Sequence, residues 1–169
     1  RQGVIHMNSP FDVTRYQDPA TIQRVLHTAK TIAIVGLSKN PLRASYFVGF
    51  YCSRHGYRVI PVNPRESTIL GAPSYGSLTE VTEPIDLVAV FRAPDALPDI
   101  AREAVAVGAK TLWCQFGVVN EEGGRIAEEG GLSVVMDRCV KIEHARYEGR
   151  MHWLGYNTQR ITSVRGGLQ

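Results

Sequence analysis

A single glycine, Gly36, follows the β-branched run at 31–35, and the next nine residues supply Ser38, Lys39, Asn40, Arg43 and Ser45. These residue types at this spacing suit the holding of an anion. Gly36 can turn the chain, Ser38 and Asn40 offer side-chain hydrogen bonds, and Ser45 is placed to cap a helix whose amino terminus presents backbone amides. Lys39 and Arg43 add positive charge to the same loop. A dinucleotide loop of the usual kind needs three glycines, for the tight turn, for close approach to a pyrophosphate and for helix packing. Only the first is here. The loop therefore fits a phosphate shared between side chains and backbone, and equally an ordinary polar surface loop.

Two further groups sit where a second and a third strand end. At 63–65, Asn63, Pro64 and Arg65 occupy the place where an NAD site is expected to carry Asp or Glu for the ribose hydroxyls. Arg65 suits a ribose phosphate instead, that of NADP or the 3′-phosphate of coenzyme A; it also suits an exposed turn after Pro64. Phe91, Arg92 and Pro94 then offer a ring and a guanidinium to wall an adenine, or a core Phe beside a solvated Arg. Gln115 and Gly117, at a fourth strand end, are placed to approach the far half of a long ligand.

Nucleophilic or acid–base catalysis needs a nucleophile beside a base, or a carboxylate pair in contrasting environments. Cys139 and His144 lie five apart without further ligand spacing, so neither a metal nor a catalytic pair is assigned to them. Asp137 and Arg138 read as a structural turn and ion pair. Cys114 lies in an apolar strand as a small hydrophobe, and His27 and His55 fall at helix ends. No catalytic residue is assigned.

The elements that must position these residues follow from periodicity. Asp18-Pro19 with Ile22, Val25, Leu26 and Ala29 predicts an N-capped helix, and "TIAIV" at 31–35 predicts a strand covered on both faces. A helix over 45–55 stops at Gly56, strands follow at 57–63 and 85–91, and Pro94 delays the next helix, expected over 95–107 with Gly108 as its stop. A fourth strand at 109–116, a short helix capped by Asn120 and weakened by Gly123 and Gly124, and a fifth strand at 132–136 complete the pattern. This alternation predicts an α/β fold, a Rossmann-like doubly wound parallel sheet of about five strands with helices on both faces. Ligands of such sheets bind outside the carboxyl ends of the strands, which puts the candidate site around residues 36–45, 63–65 and 91–94.

The 169 residues, 44% hydrophobic and 21% charged, suffice for one domain, expected over residues 18–147. Residues 1–17 read as an amino-terminal segment opening on a tag remnant at 1–7, and residues 148–169 as a basic tail. The net charge of +3 resides mostly beyond residue 137, without a dense Lys/Arg cluster, so nucleic acid is not the expected partner. For the tail, a solvated segment or an oligomer contact is the better expectation, with a second copy or a partner protein as the partner. No apolar run is long enough for a membrane span, and the three cysteines form no CxxC pair. A soluble cytoplasmic protein with reduced thiols is expected.

Taken in order, "IAIVGLSKNPLRASY", "GYRVIPVNPRE", "IDLVAVFRAP", "GAKTLWCQFGVVN" and "VVMDRCVKIEHARY" resemble the small coenzyme A-binding protein family. Its single Rossmann-like domain is similar to the amino-terminal domain of the succinyl-CoA synthetase α subunit. The resemblance covers residues 18–147. It implies CoA or an acyl-CoA draped over the carboxyl edge of the sheet, with Gly36–Asn40 at the phosphates, Asn63–Arg65 at the adenosine end and Phe91–Pro94 along the adenine or pantetheine path. Tyr75 belongs to the same pattern. The synthetase's second domain, with its phosphorylated histidine, has no counterpart in these 169 residues, so the resemblance does not imply ligase chemistry. Phe116 stands where many family members carry an acidic residue. Two other readings stay open, an NADP-dependent oxidoreductase and an interaction protein with a vestigial nucleotide pocket.

Overall fold

The computed structural model describes residues 10–156. The elements are α1 (Pro19–Thr28), β1 (Thr31–Val35), α2 (Ala44–Arg54), β2 (Arg58–Val62), a small hairpin of β3 (Thr68–Ile69) and β4 (Ala72–Pro73), β5 (Leu87–Val90), α3 (Leu97–Ala106), β6 (Thr111–Cys114), α4 (Glu121–Glu129), β7 (Ser133–Val135) and α5 (Val140–Tyr156). Five strands form one sheet in the order β2-β1-β5-β6-β7, all parallel. The chain leaves β1 toward β2 on one side and later returns to β5 on the other. The strand order therefore reverses between β1 and β5, and a crevice opens at their carboxyl ends.

Alternation along each strand sends side chains into two cores, one on each face. Ala33, Val35, Val88, Val90, Leu112 and Cys114 pack with Leu97, Ala101, Ala104 and Ala127 of α3 and α4. Ile32, Ile34, Leu87, Ala89 and Trp113 pack with Ile22, Leu26, Val48, Cys52 and Val140 of α1, α2 and α5. Because both faces are covered, the strands read as continuous apolar runs. The outer edge of β2 is closed by Tyr75, whose N–H donates to Pro61 O at 3.0 Å and whose carbonyl accepts from the Asn63 N–H at 2.8 Å.

Several expectations change in the structure. A 3-10 turn at Pro94–Ala96 leads directly into α3, so Pro94 begins the helical segment instead of delaying it. The first turn needs no N–H from its opening residue, which is why proline is accepted there. Gly123 and Gly124 are what let α4 form where it does. A Cβ at Gly123 would lie 2.7 Å from Leu97 Cγ, and one at Gly124 2.7 Å from Tyr16 Cε2. Residues before 18 also pack on the core. Tyr16 is buried, its carbonyl accepts the Met136 N–H at 3.1 Å, and Arg15 pairs with Glu128 at 2.7 Å. Residues 1–7, read as a tag remnant, lie outside the described residues. At the other end α5 crosses the expected boundary at 147, so residues 148–156 continue a helix; residues 157–169 lie outside the described residues. Among the described residues no helix is long and apolar enough to cross a membrane.

Candidate functional site

The site is built on the junction of three strand ends. Gly36 leaves β1 with φ +87°, a conformation that side-chain-bearing residues rarely adopt, and its N–H donates to Val62 O of β2 at 2.9 Å. A Cβ at this position would lie 2.3 Å from the carbonyl oxygen of Phe91, the residue after β5. Only glycine lets the β1 loop pass this close to β5. The requirement found in the sequence as one retained glycine is thus both conformational and spatial.

The loop beyond Gly36 is fastened by its own polar side chains. The Ser38 N–H donates to Ser45 Oγ, the Asn40 N–H to Ser38 Oγ and the Leu42 N–H to Asn40 Oδ1, each at 3.0 Å. Such short side-chain-to-backbone bonds set turns. Ser45 therefore does not cap α2 as expected. It lies in the first helical turn, buried, and its hydroxyl oxygen holds the loop, while Arg43 takes the N-cap position and makes no capping bond. The start of α2 is left without a side-chain cap, and no hydrogen bond among the described residues engages the amides of Ala44 and Ser45. Orphan amides of this kind attract anions.

Above the β1–β5 switch lies a cleft of about 530 Å³, lined by Gly36, Ser38, Arg43, Ala44, Ser45, Phe91, Arg92, Ala93, Phe116 and Val118. Its lining combines the helix start, Arg43 and Arg92 with the apolar side chains of Phe91, Ala93, Phe116 and Val118. A second cleft of about 220 Å³ adjoins it through Arg92 and runs over Val35, Val62 and Pro64 toward Ser77 and α3. Glu103, at the α3 wall of this second cleft, has its carboxyl pushed up by burial and by the neighbouring Asp99.

Of the residues singled out from the sequence, Gly36, Ser38, Arg43, Ser45, Phe91 and Arg92 meet in the larger cleft, and Pro64 lines the smaller. Lys39 is drawn aside into an ion pair with Glu66 at 3.2 Å, which ties the β1 loop to the β2 loop. Asn63 acts as a clip: its Nδ2 donates to Leu37 O and its Oδ1 accepts the Arg65 N–H, both at 2.9 Å. The Arg65 side chain projects from that turn, exposed. Asn40 and Pro94 shape the loops without lining the cleft.

Gln115 is placed differently from its expectation. It is 2% exposed, and its Oε1 accepts the Val140 N–H at 3.3 Å, so it fastens the start of α5 and its Nε2 has no partner. The far wall comes instead from the next residues, Phe116 and Val118. These two are lining residues outside the expected ranges 36–45, 63–65 and 91–94, whereas Ala44 and Ala93 fall within them. Only the β5–β6 pairing brings the β6 loop to the same cleft as Phe91.

Other candidates resolve into structure. Asp137, at φ 59°, accepts the Gly117 N–H at 2.8 Å, and Arg138 reaches Glu143 at 3.8 Å, so the expected Asp137–Arg138 ion pair is absent among these contacts. His144 Nδ1 lies 2.8 Å from the Tyr51 hydroxyl. Burial pushes the Cys52 thiol up to about 12, with a smaller contribution from Cys139, and burial likewise raises Cys114. Both thiols stay protonated and weakly nucleophilic. No group of three His, Cys, Asp or Glu suited to a metal ion occurs among the described residues.

A Rossmann-like sheet with a loop-lined crevice at its switch point defines the class, a single α/β ligand-binding domain. Within that class the chain belongs to the CoA-binding domain family, whose profile matches residues 30–145. It is 43% identical over 126 residues to YneT of Bacillus subtilis, an alignment covering 75% of this chain and 93% of YneT. It is 29% identical over 122 residues to the α subunit of acetate–CoA ligase [ADP-forming] II of Pyrococcus furiosus, spanning 66% of this chain but only 27% of that subunit. Among solved structures, a protein of Thermus thermophilus (ID.343) superposes with a TM-score of 0.73 at 38% identity, covering 77% of this chain and 98% of its own. A hypothetical protein of Pyrococcus horikoshii OT3 gives 0.75 at 35% identity, covering 77% and 92%.

Proposed function

We propose that this protein binds coenzyme A at the carboxyl edge of the sheet, without chemistry of its own. The observation that carries the reading is the cleft at the β1–β5 switch, whose lining joins an uncapped helix start, Arg43 and Arg92 to apolar side chains. Membership of a CoA-binding family says which ligand to try there. The diphosphate lies over the start of α2, where amides and guanidinium groups can share its charge. The adenosine end turns toward Pro64 and the exposed Arg65, whose guanidinium meets the 3′-phosphate. The pantetheine arm runs past Phe91 toward β6. The ligand thus crosses the strand ends in the order β2, β1, β5, β6, which is their order in the sheet. A cytoplasmic location accords with three unpaired cysteines.

Isothermal titration of the full chain with CoA, dephospho-CoA and NADP tests this. CoA binds, dephospho-CoA binds more weakly, and Arg65→Ala removes that difference while Arg43→Ala weakens both. A ligand at a hundred times its dissociation constant adds about 2.7 kcal/mol of stability, which a melting curve reads directly. Binding of NADP with none of CoA would replace the proposal by a redox reading. Equal losses of CoA and dephospho-CoA in Arg65→Ala would remove Arg65 from the 3′-phosphate.

A further inference from the structure

The wall of the cleft carries an aromatic ring left open among the described residues. Phe116 is 58% exposed although it follows a strand whose four residues are all buried. Its exposure is set by the backbone. The Val118 N–H donates to Gln115 O at 3.0 Å, closing a four-residue turn with Phe116 and Gly117 at its centre, and Gly117 has φ +78°. A positive φ at the third position is what a type II turn demands, and such a turn points its second residue outward. The turn is pinned again from β7, where Asp137 at φ 59° accepts the Gly117 N–H. A non-glycine residue in that region is held there by its surroundings, and such positions gather at binding sites.

Isolated exposed hydrophobics are ordinary. Phe116 differs from Leu42, Phe47, Phe50 and Ile142, which are also exposed, because it alone of the five lines the cleft. Val118, Phe91 and Ala93 add apolar surface to the same cleft. From β1 to β6 is two strand spacings, about 10 Å. An extended pantetheine arm exceeds that span, so a thiol starting from phosphates at the α2 amino terminus arrives at Phe116 or beyond it.

Resting on the CoA reading, we infer that Phe116 and Val118 form an acyl subsite, and that the ligand is a CoA thioester with an apolar acyl group. Free CoA would leave the ring wet, and a carboxylated acyl group would set a charge against it. Each methylene withdrawn from water contributes about fourfold in affinity. An open trough buries part of a chain, so about two methylenes' worth is expected.

Titration of the wild-type chain with CoA, acetyl-CoA, succinyl-CoA and hexanoyl-CoA, repeated with Phe116→Ala and Phe116→Glu, tests the inference. Hexanoyl-CoA binds about tenfold or more tighter than CoA and acetyl-CoA, and tighter still than succinyl-CoA. Phe116→Ala brings hexanoyl-CoA to within about threefold of CoA, whatever the variant's affinity for CoA itself; Phe116→Glu reverses the preference. Equal affinities of CoA and hexanoyl-CoA in the wild type, or a preference for succinyl-CoA, would overturn the acyl subsite and leave the CoA reading standing. Failure of every CoA species to bind would instead overturn the CoA reading. Because the side chain is on the surface, the variants fold, and unchanged melting of the free proteins verifies it.

Discussion

Replacing Gly36 by alanine tests whether the β1–β5 junction is as tight as the cleft requires. Two costs add. An L-residue at φ +87° sits in left-handed space, at about 1–2 kcal/mol. The new methyl group would also lie 2.3 Å from Phe91 O, a backbone atom that cannot rotate away. Relieving that overlap means moving β5 and stretching the Phe91 N–H to Val35 O bond of 2.8 Å, at a further cost of about 1–3 kcal/mol. The sum is about 4 kcal/mol. For a chain of this size it lowers Tm by roughly 8–16 °C. Gly56 supplies the control: it has φ +90° with nothing within 4 Å of the added Cβ, so Gly56→Ala carries the conformational cost alone, about 1–2 kcal/mol. Calorimetry and urea unfolding of both variants separate the two effects. Equal destabilisation by the two substitutions would mean that the β1 loop can lift off β5 freely, and the reasoning that makes this cleft a preformed site would fail.

Gly124→Ala raises helix propensity by about 1 kcal/mol but drives a methyl group to 2.7 Å from Tyr16 Cε2, so a net loss of about 1–2 kcal/mol is expected in urea unfolding. A gain would show that α4 is free to slide. The Asp86 carboxyl is held below its ordinary range: burial works against this, and is outweighed by the N–H bonds from Lys30 at 2.9 Å and Thr31 at 3.0 Å and by Lys110. Its contribution is present above the unfolded pKa and is lost as pH falls through the folded value. Asp86→Asn should therefore cost about 1–2 kcal/mol at pH 7, a difference that shrinks as acid takes the carboxylate through its folded value; a pH-independent difference would assign the loss to packing. His144 is pushed down by burial and then by His55, with Glu148 opposing, among the rings of Tyr51 and Tyr57. The neutral ring is favoured in the fold, so stability falls as pH drops through about 6.5 toward the folded value. The drop in Tm between pH 7.5 and 5.5 should shrink in His144→Gln; an unchanged drop would show that His144 is not its source.

Much of this was legible before any coordinates. Asp18 and Asn120 were recognisable as helix caps because a short acceptor side chain before a helical stripe has one common use, and both accept the amides expected of them, from Thr21 and Gly123. The strands were recognisable because burial on both faces leaves unbroken apolar runs. Where sequence reasoning missed, the deciding contact was remote. Gly123 and Gly124 look like weak helix residues until Leu97 and Tyr16 are seen against them. Ser45 looks like a cap until the Ser38 amide is seen to use its hydroxyl first.

Apart from the β3–β4 hairpin and α5, which the sequence reading left out, the order and type of the elements, the loops at the strand ends and the family motifs are local properties, set by periodicity, turn chemistry and charge within a few residues, and the sequence alone determined them. Which loops face one another is not local. It depends on strand order, β2-β1-β5-β6-β7, and on which polar side chains find partners across the sheet. That is why Lys39, Asn63 and the Oε1 of Gln115, all plausible ligand contacts by type, are engaged with Glu66, Leu37 and Val140, while the Gln115 Nε2 stays without a partner among the described residues. Tertiary structure alone gave the free positions to Arg43, Arg92 and Phe116, because a polar group satisfied within the fold has little left to offer a ligand, whereas an uncapped helix start and an uncovered ring do.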